Sequence, residues 1–282
     1  MPAEIEEELA RSFELVDAAG GADGVVVTPA VTVDAAFLDA AGPQLRIVAN
    51  YAVGIDNVDL AATRERGVVV SNTPGVLTNA TAEHAIALAL AVLRRVVEGD
   101  RSLRRRDRWE WGPDFMVGEG LEGKELLVVG PGRIGRRVAE LAEAHGARVT
   151  FTGREDDLLA ALATADVVTL HCPLTPETRH LIDAQALRAM KDTAVLVNTA
   201  RGQVVDETAL VAALSAGTVA AAALDVFEHE PAVSEELLAM ENVVLTPHIA
   251  SATREARLAM GELVVSALRA VLLEGRTPPN AV

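Results

Sequence analysis

One histidine near the end of the chain, His248, lies in the stretch TPHIASAT (246–253), directly after an apolar run that predicts a strand. Imidazole can gain or lose a proton near neutral pH, which makes histidine the commonest general acid or base. Two interpretations are open at this point. His248 is either a core histidine with satisfied hydrogen bonds or the proton carrier of an active site, and the rest of the chain must decide.

Two other polar residues also follow strand-like segments, Arg201 in NTARGQVVDETAL (198–210) and Glu230 in ALDVFEHEP (223–231). An arginine could clamp a carboxylate and an adjacent keto oxygen, and a glutamate could fix the tautomer of His248 and stabilise its protonated form. Taken singly, Arg201 is better explained as a surface ion pair and Glu230 as an exposed loop carboxylate. Because ligands bind at the carboxyl ends of parallel strands, their joint placement favours a shared site.

Residues 123–146, GKELLVVGPGRIGRRVAELAEAHG, predict a dinucleotide-binding turn between a strand and a helix. Gly130 would permit the tight turn, Gly132 would let the backbone approach the pyrophosphate, and Gly135 would allow the helix to pack on the strand. The phosphates would lie at the helix N-terminus. Arg133 and Ile134 complete the predicted turn, and the plain alternative is a glycine-rich turn without a ligand.

The end of the next strand, in ARVTFTGRE (147–155), favours NADP(H), with NAD(H) possible. An NAD-binding protein places Asp or Glu there to hold the ribose 2′-hydroxyl. Here the position is Gly153, followed by Arg154, which would accept a 2′-phosphate, and Thr152 could add a hydrogen bond. Glu155 opposes this interpretation because its charge could offset that of Arg154.

These residues must be positioned by short β-branched strands that alternate with helices, a pattern that predicts an α/β fold with parallel sheets. Strands are predicted at 24–28, 45–50, 68–72, 125–130, 148–152, 166–171, 194–199, 221–226 and 242–246. Helices are predicted at 33–41, 57–66, 79–99, 133–145, 156–164, 183–190, 206–216 and 253–274. We expect two Rossmann-like or flavodoxin-like domains. A discontinuous substrate domain would comprise 1–96 completed by 253–282, and a dinucleotide-binding domain would comprise 97–252.

Composition narrows the class of protein. With 282 residues, of which 50% are hydrophobic, the chain can form two domains, and its formal net charge of −16 disfavours nucleic acid and anionic membranes as partners. No segment reads as a membrane span or a signal peptide, and the single cysteine excludes an internal disulfide or a thiolate metal cage. We expect a cytoplasmic protein without a metal site. The one basic cluster, 101–109, is interpreted as a solvated helix end or a subunit contact.

Taken together, the motifs resemble those of the D-2-hydroxyacid dehydrogenase family, and within it the glyoxylate/hydroxypyruvate reductases. In the family's order the chain contains NYAVGIDNVDL, NTPGVLTNATAEHAIAL, W-x-W-x-P, GKELLVVGPGRIG, LHCPLTPETRHLI, NTARGQVVDETAL, LDVFEHEP and TPHIASAT. The resemblance implies an NAD(P)H-dependent reductase that transfers a hydride to a small 2-oxoacid and gives a D-2-hydroxyacid. The alternative from another class is a cofactor-sensing binding protein, since some transcriptional corepressors resemble this family.

The resemblance also implies roles for individual residues. Arg201 binds the substrate, Glu230 supports His248, and His248 is the acid/base. The backbone N–H groups of Ala52, Val53 and Gly54 form a cradle for the substrate carboxylate. Further cofactor contacts are expected at Cys172, Pro173, Thr199, Ala200, Asp225 and Ala250. The other histidines are not assigned to the chemistry. His171 is interpreted as a packing and backbone contact beside the cofactor, and His229 should point to the opposite side of the segment from Glu230. The remaining three are interpreted as structural or solvated: His84, His145 and His180.

Several segments differ from the family pattern. The chain begins at EIEEELARSFELVD, as if within the first helix and without the strand that precedes it, and the connection to GADGVVVT is short. TGRED runs directly into DLLAALATADVV, which leaves out a short helix and an edge strand on the adenosine side. Relatives dimerise through the region around 101–118, which here contains Trp109, Trp111, Phe115 and Met116. We therefore expect a homodimer in which Phe115 or Met116 could line the partner's substrate cleft.

Overall fold

The computed structural model describes residues 1–106, 109 and 111–282. Asp107, Arg108 and Glu110, which belong to the predicted basic cluster and to the predicted loop 107–121, lie outside the described residues. The chain forms two compact units, residues 1–78 with 251–282 and residues 79–250. Among the helices of the described part of the chain, none is long and apolar enough to cross a membrane.

The elements alternate along the chain much as predicted, and all nine predicted strands are present. In chain order they are α1 Ala3–Ala10, β1 Gly24–Val27, α2 Ala35–Ala41, β2 Ile47–Asn50, α3 Leu60–Glu65, β3 Val69–Ser71, α4 Thr78–Leu93, α5 Val96–Arg105, β4 Glu125–Val129, α6 Arg133–Ala144, β5 Arg148–Thr152, α7 Leu158–Leu162, β6 Val167–Leu170, α8 Ala184–Ala189, β7 Val195–Asn198, a 3₁₀ turn Gly202–Val204, α9 Glu207–Ser215, β8 Ala221–Leu224, α10 Glu235–Ala239, β9 Val243–Leu245 and α11 Arg254–Leu272.

The helix starts follow from side chains that accept a hydrogen bond from a first-turn amide, which relieves one of the orphan N–H groups of a helix. An aspartate does this before α2, α3, α7, α8 and α9, while a serine does it before α10 and a threonine before α11. The short α10 and the 3₁₀ turn were not predicted, because each is too brief to show a hydrophobic period.

The first unit contains a parallel three-stranded sheet in the order β1-β2-β3. All four residues of β2 are buried, as expected for a central parallel strand covered on both faces. Helix α11 packs against this sheet, and α1 packs against α11. The C-terminal residues extend the sheet, since Ala281 pairs with Ser71 in an antiparallel bridge.

The second unit contains a parallel six-stranded sheet in the order β5-β4-β6-β7-β8-β9. Strands β6 and β7 are buried along their whole length, and β5 forms one edge, where Phe151 is 42% exposed. Strands β7, β8 and β9 are parallel neighbours, so their carboxyl ends share one edge of the sheet. The predicted α/β class with parallel sheets is confirmed.

The predicted single helix 79–99 is wrong, because it is interrupted between α4 and α5. The carbonyl of Leu93, which would continue the helix, instead accepts a hydrogen bond from the amide of Glu119 (2.9 Å). Arg95 then adopts a left-handed conformation (φ 53°) and pairs with Glu98. The close approach needs Gly118, whose Cβ would lie 2.5 Å from the Leu93 oxygen. The structural division falls at residue 79 rather than at 97, so that α4 after Thr78 belongs to the second unit.

Candidate active site

A histidine–glutamate pair lies beyond the ends of β8 and β9. His248 Nδ1 is 2.7 Å from Glu230 Oε2, and the two side chains are 37% and 34% exposed. The other carboxylate oxygen, Oε1, accepts a hydrogen bond from the amide of Phe227 (3.0 Å). Since an ionised carboxylate only accepts, the proton on His248 is assigned to Nδ1, which leaves Nε2 available to a ligand.

The charge state of Glu230 suits this arrangement. Partial burial alone would raise the pKa of Glu230. The hydrogen bonds from His248 and from the amide of Phe227, together with the positive charges of His248 and Arg201, lower the pKa overall. Glu230 is therefore an anion at neutral pH, and its carboxylate can accept the hydrogen bond that His248 Nδ1 donates.

The loop that carries His248 is held by Asp225, at the end of β8. The Asp225 carboxylate is fully buried and binds three groups of this loop: the Thr246 hydroxyl (2.6 Å) and the amides of Ile249 (2.9 Å) and Ala250 (2.8 Å). The backbone of His248, which is left-handed (φ 53°), donates its N–H to the Asp225 carbonyl (2.8 Å). Asp225 and Ala250, both predicted as cofactor contacts, thus bind each other, which the sequence motifs do not predict.

His84, which was interpreted as structural or solvated, belongs to the same cluster. Its Nε2 lies 3.1 Å from Thr246 Oγ1 and 3.4 Å from Asp225 Oδ1. Burial alone would raise the pKa of Asp225, but the hydrogen bonds from His84, Thr246 and the two loop amides lower it overall. The result is a buried anion that orders the segment on either side of His248.

Arg201 is positioned by the turn that follows β7. Asn198 closes this turn, since its Nδ2 donates to the Arg201 carbonyl (2.9 Å) and its Oδ1 accepts from the Ala200 amide (3.0 Å). Gly202 then packs against the loop after β8 so closely that a Cβ there would lie 1.9 Å from the Phe227 carbonyl carbon. The positive charge of Arg201 also lowers the pKa of Glu230, although it contributes less than the hydrogen bonds do, and burial acts in the opposite direction. The structure thus groups Arg201, Glu230 and His248 in the second unit.

The glycine-rich turn between β4 and α6 has the geometry that a dinucleotide requires. Gly130 has a positive φ (96°), and a Cβ on it would lie 2.7 Å from the amide nitrogen of Cys172. A Cβ on Gly135 would lie 2.3 Å from the Gly130 carbonyl, so its absence allows α6 to pack on β4. A Cβ on Gly132, by contrast, would meet no atom within 4 Å. Gly132 therefore leaves open space just before the N-terminus of α6, where Arg133 and Ile134 begin the helix.

The segment after β6 packs beneath this turn. Burial raises the pKa of Cys172 to about 11, so the thiol is neutral and a ligand contact at this residue would come from its backbone. Pro173 is exposed. Burial lowers the pKa of His171 to about 3, and its Nε2 lies 2.9 Å from Thr169 Oγ1. A histidine that stays neutral cannot donate a proton, which agrees with its interpretation as a packing residue.

The loop after β5 contains a carboxylate, that of Asp156, whose contact with the predicted cofactor position Gly153 was not predicted. Asp156 Oδ2 accepts a hydrogen bond from the Gly153 amide (2.7 Å). Arg154 is exposed and lies 3.8 Å from Glu177. The Thr152 hydroxyl is buried without a partner among the described residues, as is that of Thr199 after β7. No local sequence signal identifies this bond, because the Asp156 side chain reaches back to an amide three residues before it rather than forward as in an Asx turn.

In the first unit, Ala52, Val53 and Gly54 form a loop after β2 whose carbonyl groups are all bound. The donors are Asn50 Nδ2 to Gly54 (2.6 Å), Asn72 Nδ2 to Val53 (2.8 Å) and the Thr73 amide to Ala52 (2.9 Å). The amides of Val53 and Gly54 donate to no acceptor within the described residues. Two backbone N–H groups are thus available to an anion, and the role of Asn50 and Asn72 in exposing them was not predicted.

Comparison with known proteins decides the family. Residues 86–250 match the family described as D-isomer specific 2-hydroxyacid dehydrogenase, NAD binding domain. The chain belongs to this family. It is 46% identical over 277 aligned residues to glyoxylate reductase of Thermococcus litoralis, a match that covers 92% of this chain and 83% of that protein.

Solved structures similar to this chain match it over its whole length. The TT0316 protein of Thermus thermophilus is 44% identical with a TM-score of 0.92, and the match covers 100% of this chain and 97% of that one. The NADPH-dependent glyoxylate/hydroxypyruvate reductase of Sinorhizobium meliloti, in complex with NADP and malonate, is 35% identical with a TM-score of 0.87 and coverages of 100% and 94%. The chain is therefore an oxidoreductase of this family.

The residues present fit a nicotinamide cofactor. The matched region includes the turn around Gly132, where the backbone is open to a ligand, and it includes the buried unpartnered hydroxyls of Thr152 and Thr199. Membership of this dehydrogenase family, with its NAD binding domain, gives the second unit a nicotinamide dinucleotide as cofactor.

Proposed function

We propose that this protein reduces small 2-oxoacids of the glyoxylate and hydroxypyruvate type to D-2-hydroxyacids, with NADPH as the preferred cofactor. The observation that carries the proposal is the 2.7 Å contact between His248 and Glu230. The charge of Arg201 also lowers the pKa of Glu230 in the same site. His248 can serve as an acid because its ring is hydrogen-bonded to Glu230. Arg201 supplies a positive charge that can bind the carboxylate of the substrate. The relatives named as glyoxylate reductases support the substrate class.

Substrate binding is assigned to charged and backbone groups. Arg201 binds the substrate through the planar fork of its guanidinium, which matches a carboxylate and a neighbouring keto oxygen. In the first unit, the N–H groups of Val53 and Gly54 bind the carboxylate, and Gly54 has no side chain to obstruct that approach. The bound carboxylate would accept the hydrogen bonds that these two amides do not donate within the described part of the protein.

Proton transfer is assigned to His248. A bound nicotinamide supplies the hydride that reduces the keto carbon. As negative charge develops on the keto oxygen, the protonated imidazole donates its proton from Nε2, and Glu230 stabilises the charged ring through Nδ1. Asp225 keeps this donor in place by ordering the loop around it, which fixes the direction of Nε2 without a contact to the reacting atoms.

The preference for NADPH rests on Gly153 and Arg154 at the end of β5. Arg154 is exposed and can bind a 2′-phosphate, and a relative of known structure is named as NADPH-dependent. Asp156 and Glu177 oppose this preference, because each places a carboxylate next to the same segment. NADH therefore stays a possible second cofactor, and the ratio of the two kcat/KM values measures the balance.

The proposed function is tested by turnover. Purified protein is mixed with NADPH or NADH and with a panel of 2-oxoacids that includes glyoxylate, hydroxypyruvate, pyruvate and 2-oxoglutarate. Loss of absorbance at the nicotinamide band with glyoxylate and hydroxypyruvate is expected, with lower kcat/KM for the larger acids. Tight NADPH binding without oxidation by any acid would instead identify a cofactor-sensing binding protein.

We also propose a homodimer. Trp109 (57%), Trp111 (84%) and Phe115 (44%) are exposed, as is Leu103 (62%) on α5, and this much aromatic surface is typical of a protein contact. Light scattering at micromolar concentration should give twice the chain mass of 29.6 kDa. A replacement of Trp111 by glutamate should shift the mass toward that of one chain, whereas a monomeric wild type would contradict the proposal.

A further inference from the structure

A second histidine–glutamate pair, His180 and Glu228, lies close to the proposed substrate arginine and has no part in the chemistry described above. His180 Nε2 is 2.7 Å from Glu228 Oε1. The Glu228 side chain is only 11% exposed, while that of His180 is 36% exposed. Among the described residues, Glu228 has one other cationic contact, with Arg179 at 3.5 Å, and that arginine is 53% exposed.

Glu228 joins the loops that follow β7 and β8. Its Oε2 accepts from the Glu207 amide (3.3 Å), and its own amide donates to Glu207 Oε2 (3.0 Å). The Glu228 carbonyl accepts from Gln203 Nε2 (3.0 Å). Glu228, two positions before Glu230, is therefore bonded to both ends of the segment 203–207, which begins two positions after Arg201.

His180 completes this attachment from the loop after β6. Its amide donates to the Gln203 carbonyl (2.8 Å), and its backbone is left-handed (φ 52°), a conformation that is uncommon outside glycine. The same residue thus binds the segment through its backbone and binds Glu228 through its ring. Gly202 is already pressed against the Phe227 carbonyl, so the two loops are in direct backbone contact at this point.

The charges explain why the pair is needed. Burial alone would raise the pKa of Glu228, but the hydrogen bonds from His180 and from the Glu207 amide, with the charges of His180 and His229, lower it overall. Glu228 is thus an anion in direct contact with another acidic residue, Glu207, and two positions from Glu230. Without the ring of His180 this largely buried charge would lose its shortest hydrogen bond and keep the Glu207 amide and the exposed Arg179 as contacts, and the loops would separate to let water reach it.

We propose that His180 and Glu228 are positioning residues that hold Arg201 in its substrate-binding place by fixing the backbone of 202–207 against the loop after β8. The inference rests on the proposed role of Arg201 in binding a 2-oxoacid. Neither residue touches the reacting atoms. Their effect is confined to how well Arg201 meets the substrate carboxylate, so it falls on KM for the 2-oxoacid more than on kcat or on cofactor binding.

The test compares His180→Ala with His180→Gln, whose Nε2 donor can take the place of the ring nitrogen. Both variants carry the same left-handed backbone, so the comparison isolates the hydrogen bond. His145→Ala is the matched control, because the ring of that exposed histidine bonds, within the described part of the chain, to the Leu141 carbonyl of the preceding helix. Each variant is measured for KM of glyoxylate, for the dissociation constant of NADPH, and for amide hydrogen exchange in 202–207.

We expect His180→Ala to raise KM for glyoxylate about tenfold, as loss of a charge-assisted hydrogen bond allows. The NADPH dissociation constant should change by less than about twofold, and exchange at the Glu207 amide and its neighbours should accelerate. His180→Gln should recover most of both effects, and His145→Ala should show neither. In an Arg201→Ala background, His180→Ala should add no further increase in KM, because its effect passes through Arg201.

Unchanged exchange in 202–207 after His180→Ala would overturn the proposal. An equal rise in KM in the presence and absence of Arg201, or parallel losses of substrate and cofactor binding, would also overturn it by showing general destabilisation. If the wild type reduces no 2-oxoacid, the proposed function fails. The exchange comparison needs no turnover and still decides whether His180 holds the segment.

Discussion

Replacement of Glu230 by glutamine removes the negative charge beside His248 and keeps the shape of the side chain. The lost interaction is a charge-assisted hydrogen bond of 2.7 Å, a class that contributes about 1.5–3 kcal/mol. Both side chains are about one-third exposed, so solvent screening reduces this to about 1 kcal/mol. Because ~1.4 kcal/mol corresponds to one pH unit, the alkaline limit of kcat/KM for reduction should fall by about 0.5–1 pH unit.

The assay is kcat/KM for glyoxylate with saturating NADPH between pH 5.5 and pH 9.5, for the wild type and for Glu230→Gln. Glu236→Gln, on the exposed face of α10, is the matched control and should leave the profile unchanged. Oxidation of the hydroxyacid needs the neutral imidazole, so the acid limit of that reaction should also move to lower pH in Glu230→Gln. Superimposable profiles for the wild type and Glu230→Gln would remove Glu230 from the mechanism and refute the reasoning.

The lowered pKa of Glu230 also predicts how the free energy of unfolding depends on pH. Because the pKa of Glu230 is lowered in the folded protein, its contribution to the free energy of unfolding is present above about pH 4.3 and is lost as the pH falls through the lowered pKa. Denaturant titrations should therefore show a deficit of Glu230→Gln relative to the wild type at pH 7 that shrinks at pH 3. A deficit that is equal at both values would show that the pairing with His248 does not stabilise the fold.

Substitutions of His248, of Arg201 and of the Gly153–Arg154 pair separate the remaining roles. His248→Gln should lower kcat by about 10²–10⁴-fold with NADPH binding nearly intact, which stopped-flow turnover and fluorescence titration would measure, since only proton transfer is removed. Arg201→Ala should raise KM for glyoxylate, and steady-state kinetics should show that Arg201→Lys does not restore it, because lysine lacks the bidentate fork. Gly153→Asp with Arg154→Ser should move the kcat/KM preference from NADPH toward NADH by at least about tenfold, equivalent to ~1.4 kcal/mol. A wild type that already prefers NADH would contradict the assignment of Arg154 to a 2′-phosphate.

The strands and the glycine-rich turn could be predicted because local sequence determines them. Short buried parallel strands are continuous apolar runs, and each was visible as such. The geometry of Gly130 and Gly135 also follows from local sequence, since each glycine removes a contact between neighbouring elements. The break between α4 and α5 could not be predicted, because it depends on a hydrogen bond from Glu119, 26 positions after Leu93.

The candidate site was predictable in its charged residues but not in the residues that hold them. Arg201, Glu230 and His248 follow strands whose order in the sheet brings their ends together. The bonds of Asp225 to the loop at 246–250 depend on three-dimensional proximity, and no local pattern distinguishes a buried anchoring aspartate from one that faces a cofactor. The hydrogen bonds of Glu228 were not predicted for the same reason, since its partners His180 and Glu207 lie 48 and 21 positions away in the sequence.

The configuration and yield of the product decide whether this protein is a D-2-hydroxyacid-forming reductase. Purified protein is incubated with hydroxypyruvate and NADPH, and the glycerate formed is resolved on a chiral column and compared with the NADPH consumed. One D-glycerate should form for each NADPH oxidised, and formation should be abolished or strongly reduced in His248→Gln. Formation of L-glycerate, a racemic product, or no reduction of any 2-oxoacid by an NADPH-binding protein would contradict it.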